Sequence, residues 1–126
     1  NLFPKAQRKL VEFFAESMNN FSHQFLLPTH SPYILSSINN LMYAYKVANE
    51  FNAGKEVEKI INKNYWLNPK DIVVYFLENG ESKSLIDKEE GLINIEELDS
   101  VSNIINKEFN ELLSIEISNT KSNEND

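Results

Sequence analysis

The chain contains no cysteine. Neither a disulfide framework nor a thiolate metal site can exist, which fits a reducing compartment. Glycine is almost as scarce: Gly54, Gly80 and Gly91 are the only three, and neither a GxxxxGK phosphate loop followed by Ser or Thr nor a GxGxxG turn occurs. These residues alone cannot cradle the phosphates of a nucleotide. The two histidines, His23 and His30, are separated by an apolar run instead of one helical turn, so a zinc site would need carboxylates from elsewhere, and no metal site is expected. No apolar run is long enough to span a bilayer, and the amino terminus lacks the basic-then-apolar layout of a secretory signal. The expectation is a cytoplasmic chain with no membrane partner.

What is present suits one modest core: 126 residues, 41% hydrophobic and 25% charged. The net charge of −7 is unevenly spread. Residues 1–86 carry nine basic and eight acidic side chains, whereas residues 87–126 carry three basic and eleven acidic ones. That acidic third would repel a phosphate backbone, so it is not a nucleic-acid surface. The carboxylate pairs Glu89/Glu90 and Glu96/Glu97 flank a turn and a helix start, where solvated caps account for them.

Pro4 suits a first helical turn, and Ala6, Leu10, Phe14 and Met18 recur every fourth residue, which predicts a helix over 4–18. Asn19 and Asn20 are stop signals. Gln24–Leu27 is a short apolar run ending at Pro28, which cannot donate to a ladder, and reads as a buried strand with Thr29 and His30 at its carboxyl end. Ser31 can accept hydrogen bonds from the first-turn N–H groups of a helix opened by Pro32. Asn39 and Asn40 are expected to break that helix, and the aromatic and branched residues of LMYAYKV, 41–47, predict another strand.

Residues 52–64 read as a short, exposed helix whose exit Trp66 anchors. IVVYFL, 72–77, then Asn79-Gly80, then SKSLI is the strongest hairpin signal, because Asn-Gly supplies the two positive φ angles of a type I′ turn. Asn94 with Glu97 resembles a capping box, and Leu98, Val101, Ile105, Phe109 and Leu112 predict a last helix to about Leu113. Residues after Ile117 have nothing to bury and are expected to be disordered.

The stretches NLFPKAQRKLVEFF, 1–14, and FLLPTHSPYILSSINNL, 25–41, resemble the carboxyl-terminal half of the nucleotide-binding domain of ABC-type AAA-family ATPases, the group of RecF-like and overcoming-lysogenization-defect-like proteins. The resemblance implies that NLFP follows a Walker B strand as the D-loop equivalent, so the chain would begin just after the Walker B glutamate. It implies that His30, in Thr-His-Ser-Pro, is the switch histidine that contacts the γ-phosphate and orients the attacking water. Asn1, Thr29 and Ser31 would lie near the nucleotide or a dimer interface. ATP and Mg2+ would be cofactors of the intact protein and would not bind this part alone. The partners implied are the N-terminal half of the same domain, a second copy, and nucleic acid for the intact protein, in DNA repair or phage defence. Residues 65–113 look like an extension found in a bacterial subset of these ATPases. Two departures stand out: Pro28 replaces a threonine common in the group, and Phe3 stands where transporter-type relatives keep the D-loop aspartate.

The residues by themselves leave two readings open. His30 can satisfy a strand end without a catalytic role, and Asn1 to Pro4 fits a plain helix entry as well as a D-loop. The expected fold is accordingly α/β, a partial, mostly parallel sheet with flanking helices and an appended hairpin and helix. Its expected parts are 1–50, the ATPase half; 51–116, the extension; and 117–126, the tail. The alternative function is a non-enzymatic interaction or oligomerisation module. Sheet edges cut free of their neighbours would favour self-association in either case.

Overall fold

A computed structural model describes residues 4–29 and 31–124. Its elements in order are α1 (Pro4–Phe21), α2 (Pro32–Glu50), α3 (Gly54–Glu58), β1 (Tyr75–Glu78), β2 (Glu81–Ser84) and α4 (Ile95–Glu124), with 3-10 turns at Lys63–Tyr65 and Pro69–Asp71. The chain divides into two compact units after Asn94.

The expected parallel sheet does not form. Among the described residues the sheet has two strands, β1 and β2, paired antiparallel, and the protein is mostly helical. The correction turns on residues 41–47. They continue α2, with Leu41, Met42, Ala44 and Ala48 buried at helical spacing and Met42 0% exposed. Asn39 does not break the helix because its side-chain oxygen accepts the N–H of Ile93 at 2.8 Å, which offsets the modest propensity cost of a mid-helix asparagine. A parallel pair needs two strands. With 41–47 helical, Gln24–Leu27 has no neighbour, and it is neither helix nor sheet, with Leu26 91% exposed.

The helix expected over 4–18 is α1, extended one turn to Phe21 and ended by Ser22 at φ 55°. Val11 and Ala15 bury fully, while Leu10, Phe14 and Met18 are half-buried. The hairpin forms in the expected place. Tyr75 faces Ser84 and Glu78 faces Glu81, with Asn79 at φ 51° and Gly80 at φ 76° in the turn. Trp66 packs with Ala44, Ala48 and Val57, and its indole N–H donates to the Ile61 carbonyl at 2.9 Å.

The loop from Asp87 to Gly91 folds on itself. The Asp87 carboxylate accepts the N–H groups of Glu89 and Glu90 at 2.8 and 2.9 Å, and an antiparallel bridge joins Ile86 to Ile93. Glu90 is more than a solvated cap, since Lys46 on α2 donates to both its carboxylate and its carbonyl.

In the second unit, α4 starts at Ile95 as expected and runs past Leu113 to Glu124, so residues 117–124 are helical; the end of the expected disordered tail, 125 and 126, lies outside the described residues. Its polar residues bond back along the helix. Ser114 Oγ donates to the Asn110 carbonyl, Asn119 to Ile115 and Thr120 to Glu116, at 2.9, 2.8 and 2.9 Å.

Candidate functional site

Three contacts fix the direction of the paired helices α1 and α2. Near their amino ends, Ser31 Oγ donates to Gln7 Oε1 at 2.6 Å. Toward the carboxyl end of α1, Asn19 Nδ2 donates to the Trp66 carbonyl at 2.8 Å, and the neighbouring Leu67 N–H donates to the Leu41 carbonyl at 3.1 Å. The helices therefore run parallel. Residues 22–31 must return from Phe21 to the level of Gln7, about 21 Å at the helical rise per residue, which ten residues cover in a non-helical path but not as one helix, whose rise over ten residues is only about 15 Å. Phe25 rests on Phe14, ring centroids 4.6 Å apart, and His23 stacks on Phe21 at 5.6 Å. Among the described residues, no backbone hydrogen bond joins residues 23–29 to the rest of the chain.

This return delivers Thr29 and Ser31 to the end where both helices start. The Ser31 N–H donates to Thr29 Oγ1 at 3.0 Å, and both residues are half-buried. The expected serine cap is not made. Ser31 occupies the N-cap with extended backbone, φ −88° and ψ 117°, and Pro32 follows, but its hydroxyl bonds Gln7 instead of a first-turn N–H. His30 and Asn1 lie outside the described residues. His23 sits between Phe21 and Phe25, away from this junction.

The convergence of two helix starts gives this end a positive partial charge from the aligned peptide dipoles. Lys5, Arg8 and Lys9 add to it along one face of α1. They line a groove of about 500 Å3 whose opposite wall is Tyr33, Ser36 and Ser37 of α2. Sequence reasoning passed over these cations. Their spacing of three and four was a readable signal for one shared face. Arg8 is held by Glu12 at 3.2 Å, while Lys5 and Lys9 make no ion pair among the described residues.

The arrangement can receive an anionic group between hydroxyls and helix starts. Among the described residues, no cluster of three or more His, Asp or Glu side chains could hold a metal ion. None of the described helices is long and apolar enough to cross a membrane. No family model, no curated protein and no solved structure matches the chain.

Proposed function

We propose that the chain is the carboxyl-terminal half of the nucleotide-binding domain of an ABC-type AAA-family ATPase, with His30 as its switch histidine. The observation that carries the reading is the path of residues 22–31, which brings the two neighbours of His30 to the joint amino ends of α1 and α2. Polarised N–H groups and hydroxyls at such an end suit a phosphate edge. In this reading Thr29 and Ser31 border the γ-phosphate, His30 positions the attacking water, and Asn1 lies near the dimer interface. ATP and Mg2+ supply the phosphoryl group and its charge neutralisation. The phosphate loop and Mg2+ ligands belong to the other half of the domain, so this chain alone does not hydrolyse ATP. The intact protein works in the cytoplasm as a dimer and acts on nucleic acid or a partner protein.

The coding sequence upstream of Asn1 is the first test. A phosphate loop and an Asp-Glu-Pro-Glu run are expected there, and their absence overturns the proposal. In that longer protein His30→Ala should lower turnover by roughly one to three orders of magnitude while leaving ATP binding nearly intact, the loss of one preorganised transition-state contact. His23→Ala is the control. Equal losses in both variants, or unchanged hydrolysis in the His30 variant, remove the catalytic role.

A further inference from the structure

Each unit, taken by itself, carries an exposed surface of distinctive chemistry. In α4 every described side chain from Lys107 to Lys121 is exposed, including Phe109 at 64%, Leu112 at 66% and Ile115 at 60%. An exposed apolar stripe of this length marks a contact surface. The stripe is not purely apolar. Glu108 and Glu116 stand one turn before and one turn after Leu112, on the same ridge, so covering the ridge with an apolar surface would strand two carboxylates. Whatever covers α4 must bring cations to it.

The groove between α1 and α2 has that character. Pro4, the Tyr33 ring and the aliphatic stems of Lys5 and Lys9 form apolar walls, and the two ammonium groups have no carboxylate partner among the described residues. As a trough between parallel helices it can take a third helix by its apolar face. We propose that this groove binds α4 of a second copy of the chain.

Charge selects that occupant. Residues 95–124 carry seven acidic and two basic side chains, which disfavours nucleic acid, an anionic bilayer, or α4 paired with its own copy. The groove carries three cations against Glu12 alone. Because one chain bears both halves of the contact, reciprocal docking closes a two-fold dimer that uses it twice. The contact uses none of Thr29 to Pro32 and stands or falls apart from the ATPase reading.

Charge reversal tests it, read by sedimentation velocity of the 126-residue chain at micromolar concentration. The wild type should be a dimer that dissociates as salt is raised. Lys5→Glu/Lys9→Glu sets an acidic groove against an acidic helix, and Glu108→Lys/Glu116→Lys sets a ridge that is basic around Leu112 against a basic groove. Each should dimerise at least about tenfold more weakly, while an equimolar mixture of the two restores the dimer, since each groove then meets a docking ridge of opposite sign. All four positions are at the surface, so circular dichroism melting should stay near wild type. A monomeric wild type, dimers of undiminished strength in either variant, or a mixture that stays monomeric overturns the proposal. The first outcome includes docking within a single chain, which forms no dimer at all.

Discussion

The side-chain amide of Asn19, near the end of α1, donates to the carbonyl oxygen of Trp66, 47 residues away, at 2.8 Å, and also to that of Asn64 at 2.9 Å. One residue thus pins α1 to the segment that carries the tryptophan of the small core, and it does so with the only two donors its amide has.

Asn19→Ala should therefore cost about 1–2 kcal/mol, at the lower end because one of the two bonds is solvent-exposed. Asn19→Asp should cost more, since a carboxylate would face two carbonyl oxygens. Urea unfolding checks both. An Asp variant as stable as the wild type would show that these bonds contribute nothing.

Trp66 is 8% exposed against Ala44, Ala48 and Val57. Removing its ring in Trp66→Ala should cost about 3–5 kcal/mol, combining lost burial with a cavity that small neighbours cannot fill. Trp66→Phe should fall between, because packing is partly kept while the Ile61 carbonyl loses its donor. Unfolding followed by far-ultraviolet circular dichroism is the measurement, as Trp66 is the single tryptophan and its fluorescence disappears with it.

The N–H groups of Glu90 and Glu89 hold the Asp87 carboxyl below its ordinary value of 3.8. A folded-state value lower than the unfolded one gives stabilisation that is present above the ordinary aspartate range and lost as pH falls through the folded value. The Lys46 ammonium is raised by its hydrogen bond to Glu90, so its contribution is present below the ordinary lysine range and lost as pH rises through the folded value. Both groups are half-buried yet still reach solvent, and the effects should be small. Amide exchange at Glu89 and Glu90 reads the acid limb directly: protection should fall on acidification in the wild type and be low at every pH in Asp87→Ala.

Elements written in local chemistry were legible. Asn79-Gly80 needs no distant partner to supply its two positive φ angles, and the apolar repeat of 4–18 together with Pro4 predicts α1 without help. At the junction, Thr29 and Ser31 could be picked out as a pair from their sequence setting. The direction of the Ser31 hydroxyl could not, because Gln7, which accepts from it, is 24 residues away and only the parallel packing of α1 and α2 brings it near. Lys46 and Glu90 were likewise invisible as partners at a separation of 44 residues.

By itself the sequence determined where helices start, where the hairpin turns and which motif surrounds His30, since caps, turn residues and short-range periodicity act within a few residues. Only the tertiary structure decided whether 41–47 is strand or helix. LMYAYKV has the branched and aromatic content of a strand and also the three-and-four spacing of a helix face, so intrinsic preference leaves it balanced. The balance is tipped by distant groups. Leu41 and Met42 bury completely, Ala44 and Ala48 receive Trp66, and Asn39 and the Leu41 carbonyl bind Ile93 and Leu67 across the fold. Burial and satisfied hydrogen bonds of that kind outweigh a propensity difference of a fraction of a kcal/mol per residue, which is about all that separates the two forms in the isolated segment.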